Sequence, residues 1–314
     1  MDENFVSIII PTYKRSDRLI NAINSVLCQT YQKLEVIVVD DNNSDDVYRV
    51  ETEQRMQEFA NDSRVKYIKH KKNSNGSFAR NTGVMHSSGD YICFLDDDDE
   101  FYKTKVEEQL KDLLSSGFDG SCVGYELYYG PTLYKKSNFK ICSGNFLYDF
   151  LSGNVVFGAG STMMLKRACF ENLKGFDISF VRHQDWEFLV RFLRSYKFKV
   201  YSKELVKLNS DGVRNNPNPD TFYMIKKKFM NEFRNDIYKL PKSQLNDVLS
   251  YQWSETMIYY FRDRNIKKAF NIYFSDILFK TGRVQFFNLI KGLYYFLENY
   301  FSFLEKLKYK LFSK

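Results

Sequence analysis
The sequence predicts an α/β fold, a doubly wound and mostly parallel sheet followed by a C-terminal helical extension. Three observations carry that expectation. Over the first hundred residues, short β-branched or aromatic runs alternate with stretches of helical period. The strand-like runs are apolar throughout instead of alternating, as suits a sheet covered on both faces. Three of them end in polar signatures, and in open α/β sheets ligands bind outside the carboxyl ends of the strands.

Taken in order, "FVSIII" (Phe5–Ile10) is the first strand and leads into "PTYKR". Asp17–Thr30 follows as a helix, with Leu19, Ile20, Ile23, Val26 and Leu27 at helical spacing. "LEVIVVD" (Leu34–Asp40) is the second strand, running into "DDNNSDD"; Ser44–Ala60 is the next helix. "VKYIKH" (Val65–His70), the helix Ser77–His86 and "YICFL" (Tyr91–Leu95) complete the pattern. Such alternation requires right-handed crossovers between parallel strands. No G-x-G-x-x-G follows the first strand and no G-x-x-x-x-G-K-[ST] occurs, which argues against dinucleotide enzymes and P-loop NTPases.

The fourth strand runs directly into Asp96, Asp97, Asp98 and Asp99. If extended geometry continues, Asp96 and Asp98 point one way and Asp97 and Asp99 the other, so carboxylates converge in pairs. Converging carboxylates raise a pKa or recruit a cation, and hard oxygen ligands suit Mg²⁺, Mn²⁺ or Ca²⁺.

Between Asp119 and Lys207 the pattern is mixed. In "HQDWEFLVRFL", Asp185, Phe188, Leu189 and Phe192 share one helical face, so a carboxylate opens an otherwise apolar stripe. "NSDGVRNNPNPD" (Asn209–Asp220) is dense in turn formers and marks a boundary between domains at 1–215 and 216–314.

Beyond it the chain reads as helices. Phe286, Ile290, Leu293, Leu297, Tyr300, Leu304, Leu307 and Leu311 recur every three or four residues among lysines. The net charge is +7, and from Lys267 to Lys314 nine basic residues stand against three acidic ones. A basic amphipathic helix of this kind suits an anionic membrane surface, the alternative being a bundle packed on the main domain. The basic excess matches no nucleic-acid module, and the aromatic helices offer a surface for a homodimer. No window has the roughly 18 apolar residues of a membrane span, and the acidic start is unlike a secretory signal. Five scattered cysteines, mostly in apolar context, read as reduced core thiols of a cytoplasmic protein.

In order and spacing, "SIIIPTYKR" (Ser7–Arg15), "VVDDNNSDD" (Val38–Asp46), "FARNTGV" (Phe78–Val84), "GDYICFLDDDDEF" (Gly89–Phe101) and "HQDWEFLVR" (His183–Arg191) resemble the family 2 glycosyltransferases of the GT-A fold. The resemblance implies an inverting enzyme that draws on a nucleotide sugar to build polysaccharide. By the same resemblance Pro11, Thr12, Tyr13 and Asp41 cradle the nucleobase, with UDP the expected nucleotide because a carboxylate accepts well from the N–H of uracil. Arg15 joins the donor site, and Arg80 approaches the diphosphate or holds an aspartate. Asp98 binds the bridging Mn²⁺ or Mg²⁺, Asp96 or Asp97 holds ribose or sugar hydroxyls, and Asp185 is the catalytic base.

Two departures from the family pattern stand out. Gln184 replaces the glutamate that usually precedes the base, and the loop after it lacks the common histidine, leaving Arg214 as the nearest cation. "FGAGSTMML" (Phe157–Leu165) matches the region lining the acceptor side. The expected setting is peripheral, at the inner face of the cell membrane, with a UDP-sugar donor and a saccharide or polyprenyl-diphosphate-linked acceptor. Two rivals are a haloacid-dehalogenase-like phosphatase, whose D-x-D-x-[TV] motif fails here at Glu100, and a non-catalytic membrane-surface protein.

Overall fold
In the computed structural model, the residues described are 4–137, 139, 146–155, 160–210, 218–282, 288–290, 292–294 and 296–297. The chain divides into two compact units, Met1–Ile141 with Val156–Arg214, and Cys142–Val155 with Asn215–Lys314.

In the first unit β1 (Val6–Thr12), α1 (Ser16–Leu27), β2 (Leu34–Asp40), α2 (Val47–Met56), β3 (Val65–Lys69), α3 (Gly76–Met85) and β4 (Tyr91–Phe94) form the expected alternation. Strands β3, β2, β1 and β4 lie side by side and parallel. Every residue of β2 is buried, and Ile8, Ile10, Val36, Val38 and Cys93 pack with Leu19, Ile23 and Val26 of α1. Helix α2 begins later than its period suggests, because Asp46 accepts from the Tyr48 N–H and so caps it. Asn75, with φ 78°, caps α3 in the same way by accepting from Phe78 N–H.

The second half of the sheet is less parallel than the sequence pattern implies. After β5 (Glu100–Phe101) and α4 (Lys105–Ser116) come β6 (Gly120–Tyr129) and β7 (Thr132–Lys136). Past the helix α5 (Phe146–Leu151) come β8 (Met163–Lys166), α6 (Arg167–Asn172), α7 (Gln184–Ser195) and β9 (Phe198–Ser210). The order is β3-β2-β1-β4-β8-β6-β9-β5, with β7 on β6. Strand β8 enters antiparallel between β4 and β6, whereas β6 and β9 are parallel. The runs that form β8 and β7 are short and have no crossover helix of their own, so periodicity alone does not give their direction.

Helix α3 lies so close to the sheet that Gly83 is required: a methyl there would fall on Ile9 Cγ2 and 3.2 Å from Val39 Cγ2. Gly83→Ala gains about 1 kcal/mol of helix propensity but overpacks the core by about 1–3 kcal/mol, so a lower thermal midpoint is expected by calorimetry.

In the second unit, α5 packs with α10 (Lys242–Arg262), which follows α8 (Pro219–Glu232) and α9 (Arg234–Tyr238). Gln252 Nε2 donates to the Leu151 carbonyl at 2.6 Å and Tyr148 Oη to Asp247 Oδ2 at 2.9 Å. Lys226 is buried and donates to Gln252 at 2.8 Å and Glu255 at 2.7 Å. Of the tail's apolar positions, Ile290 and Leu297 are half exposed, whereas Phe286, Tyr300, Leu304, Leu307 and Leu311 lie outside the described residues. Among the described residues no helix is long and apolar enough to cross a membrane. Cys93, Cys122 and Cys169 are buried thiols; Cys28, just past the end of α1, is exposed and departs from the core placement expected of the cysteines.

Candidate active site
The ends of β1, β2 and β4 are adjacent because Thr12 is in register with Asp40, and Ile9 with Phe94. Everything polar that follows these strands therefore gathers at one edge. Asp40 fixes the floor: fully buried, it accepts from Asn42 N–H at 2.9 Å and Tyr67 Oη at 2.5 Å and pairs with Arg49 Nε at 3.0 Å. Asn42 in turn accepts from Lys14 N–H at 3.0 Å, and Lys14 adopts φ 61°. That left-handed residue turns the chain after β1 back over the acidic segment.

The segment Asp96–Asp99 is a turn, closed by Asp99 N–H to the Asp96 carbonyl at 3.0 Å, and not the continuing strand that simple alternation assumes. Burial still alternates, with Asp97 and Asp99 buried and Asp96 and Asp98 partly exposed. The carboxylates of each pair, however, go to different partners. Asp97 accepts from Thr12 Oγ1 at 2.8 Å and Tyr13 N–H at 3.4 Å, while Asp99 accepts from Ser161 Oγ at 2.7 Å and Asn209 N–H at 3.1 Å. Asp98 is held by Arg15 Nη1 at 2.5 Å, and Asp96 by Arg80 Nη2 at 2.5 Å. Each partly exposed carboxylate thus has its own guanidinium.

Burial, with the charges of Asp98 and Asp96 adding to it, pushes the Asp97 carboxyl up to about 7. Burial and then the Asp96 charge also raise Asp98, against the pull of Arg15. The neighbouring aspartate charges thus oppose ionisation within the turn, beside the larger effect of burial. Among the described residues no group of three or more His, Cys, Asp or Glu side chains gathers as a metal cage. Partly exposed aspartate oxygens under mutual repulsion fit a hard cation that takes its remaining ligands from phosphate and water, as Mg²⁺ and Mn²⁺ do.

Asp41 lies one residue beyond β2, with its N–H on the Thr12 carbonyl at 2.9 Å. Its carboxylate meets His70 Nδ1 at 2.8 Å and accepts from Asn73 Nδ2 at 2.9 Å and Ser74 N–H at 2.9 Å. Pro11 and Thr12 end β1 beside it, and Tyr13, the next residue, is exposed.

Asp185 sits in the first turn of α7, after His183, whose φ of 59° redirects the chain into the helix. It accepts from Trp186 N–H at 3.0 Å. Burial raises its pKa above the carboxylate range; Asp96 adds to that, and the Trp186 N–H and Arg80 oppose it. Arg80, hydrogen-bonded to Asp96, is thus also near enough to Asp185 to favour its charged form. Gly76, at the start of α3, makes room for it: a Cβ there would be 2.8 Å from Arg80 Nη1 and 3.8 Å from Gln184 Nε2. Phe188, Leu189 and Phe192 are buried behind Asp185, as the helical stripe requires.

The structure brings Thr12, Tyr13, Arg15, Arg80, Asp96, Asp97, Asp98 and Asp185 into one linked constellation, with Asp41 beside Thr12. Arg214, and residues 157–159 of the glycine-rich segment, lie outside the described residues. Sequence reasoning missed His70, Asn73, Ser161 and Asn209. Ser161 could have been found inside the glycine-rich run, whereas His70 carried no spacing signal at all. A cavity of about 480 Å³ opens beside Asp98, bordered by Arg18, Asn21, Glu100, Lys207 and Asn209.

The family model described as Glycosyl transferase family 2 matches residues 7–174. An uncharacterized glycosyltransferase of Rickettsia felis is 39% identical over 150 residues, which make up 48% of this chain and 23% of that one. The chain thus spans less than a quarter of that relative's length. The UDP-Glc:alpha-D-GlcNAc-diphosphoundecaprenol beta-1,3-glucosyltransferase WfgD of Escherichia coli is 31% identical over 194 residues, 62% of this chain and 72% of its own. The crystal structure of S. aureus TarS 1-349 in complex with UDP-GlcNAc superposes with a TM-score of 0.61 at 16% identity, covering 90% of this chain and 93% of that one. At such low identity the likeness concerns the fold alone.

Proposed function
Because the chain belongs to glycosyl transferase family 2, we propose that it moves a sugar from a UDP-sugar to a saccharide acceptor, with inversion at the anomeric carbon. The observation that carries this reading is Arg80, hydrogen-bonded to Asp96 of the acidic turn and electrostatically coupled to Asp185, so that a donor site and a base adjoin. Pro11, Thr12, Tyr13 and Asp41 hold the uracil, and Asp96 or Asp97 takes ribose or sugar hydroxyls. Arg15 and Arg80 face the diphosphate, where a planar fork suits phosphate oxygens; Arg214 is proposed as a further cation for it.

Asp98 would hold Mn²⁺ or Mg²⁺, which when bound neutralises charge on the departing UDP. Asp185 takes the proton from the acceptor hydroxyl as that oxygen attacks from the face opposite the leaving group, turning an α-linked donor into a β-linked product. The upward shift that burial gives the Asp185 pKa supports this role, since it makes the carboxylate a better proton acceptor.

The name of the Escherichia coli relative pairs UDP-Glc with a beta-1,3 linkage on a diphosphoundecaprenol-linked sugar, which supports UDP and a lipid-linked acceptor here. Polysaccharide assembly at the inner face of the membrane, with the basic C-terminal helices against anionic lipid and a homodimer through their aromatic surface, is part of the proposal. Family membership leaves no support for the phosphatase reading.

The test is calorimetric titration of nucleoside diphosphates in excess Mn²⁺, followed by assay of UDP release from UDP-sugars with and without saccharide acceptors. UDP is expected to bind and its sugars to turn over. An absence of binding by every nucleoside diphosphate would sink the reading.

A further inference from the structure
We infer that His70 is a positioning residue that sets the nucleobase preference of the donor site, through a chain of contacts from Thr82 by way of His70 to Asp41. The inference rests on the nucleotide reading above and extends it from which carboxylate meets the base to what fixes that carboxylate's selectivity.

His70 follows β3, and its N–H is anchored on the Asp40 carbonyl at 3.0 Å. Its ring packs against Phe78 of α3, with centroids 5.1 Å apart, and the side chain is 10% exposed. Nδ1 lies 2.8 Å from Asp41 Oδ1 and Nε2 lies 3.0 Å from Thr82 Oγ1. A carboxylate only accepts, so Nδ1 carries the hydrogen that meets Asp41, and Nε2 shares a hydrogen bond with the Thr82 hydroxyl. The ring is therefore fixed at both nitrogens as well as by its packing.

A carboxylate has about four lone-pair directions. Three donors from the protein, His70, Asn73 and Ser74, address the Asp41 carboxylate. They fix its rotation and leave room for little more than one further donor. A uracil ring offers N3–H at that place, whereas cytosine offers a lone pair that an acceptor repels. Such a site rejects the wrong base mainly because the misfit leaves buried polar groups unpaired or opposed. Without His70, Oδ1 keeps only the Ser74 N–H, the carboxylate can rotate, and discrimination weakens more than binding of the diphosphate does.

The experiment measures UDP and CDP affinities by calorimetry in excess Mn²⁺ for the wild type, His70→Ala, His70→Asn and Thr82→Val. The wild type is expected to prefer UDP. In His70→Ala that preference falls about tenfold through weaker UDP binding, with CDP little changed. His70→Asn, which can return an N–H toward Asp41, restores most of it, and Thr82→Val shows a smaller fall in the same direction. Thr82→Val also keeps the inference testable if His70→Ala fails to fold. An unchanged ratio, or equal weakening of both nucleotides as a merely structural role would give, overturns the inference. Equal wild-type affinity for UDP and CDP overturns it while leaving the nucleotide site standing. A wild type that binds neither overturns the nucleotide reading itself.

Discussion
Asp185→Asn is expected to lower turnover by about a thousandfold while UDP affinity stays within about twofold of wild type. Asparagine keeps the size of the side chain and the acceptor for the Trp186 N–H, so α7 starts as before. What it lacks is a basic oxygen for the acceptor's proton, and an interaction used only at the transition state is lost from kcat and not from donor binding. The pH profile supplies a second reading. Burial raises the Asp185 pKa, and the base works only when deprotonated, so wild-type kcat should rise with pH through a value above the ordinary carboxylate range. The residual rate of Asp185→Asn should lack that step. Steady-state kinetics from pH 5 to 9, roughly the window of physiological titration, would show both effects. A variant with undiminished kcat would remove Asp185 from the chemistry.

The second large effect is expected at the acidic turn. Asp98→Ala should weaken UDP binding in Mn²⁺ by about a hundredfold or more and abolish its dependence on the metal. Asp98 is partly exposed and pairs with Arg15, itself 40% exposed at the side chain, so the substitution opens no core cavity. A thermal midpoint close to wild type should therefore accompany the loss. Asp99→Ala is the contrasting case. Its carboxylate is buried between Ser161 and Asn209, so the expected damage is to stability before it is to metal binding. Metal-dependent UDP binding that survived Asp98→Ala would move the cation to another carboxylate of the turn.

How far these residues were legible follows from the range of the forces that place them. Strands β1 to β4 and helices α1 to α3 are read from periodicity because each is a local apolar pattern covered by its neighbours. Their parallel order follows from the crossover rule, and the polar ends of the strands then had to meet. The antiparallel entry of β8 was not legible, since four residues of "MMLK" fit either direction. At the acidic turn, alternation separated Asp96 and Asp98 from Asp97 and Asp99, as the burial pattern does, without saying which pair would be buried. It did not foretell that Thr12 and Ser161, far apart in the chain, would each claim one of them. The resemblance to the family's motifs is what singled out Asp41, Arg80 and Asp185 as candidates. The residues that hold these in place, His70 and Asn73 for Asp41 and Gly76 for Arg80, are chosen by contacts in space that no spacing rule encodes.

The short helix α5 has a consequence for how the chain folds during synthesis. Its partners in the second unit, Asp247 and Gln252, lie 99 and 101 residues further along. The hydrogen bonds that α5 makes to these residues must wait for α10, and ribosomal elongation at about 5–20 residues per second delays them by several seconds. Long-range closure of this kind is slow and depends on the last helices being complete. Nascent chains that stall before α10 would present α5 without these partners, an incompletely packed segment of the kind on which chaperones act.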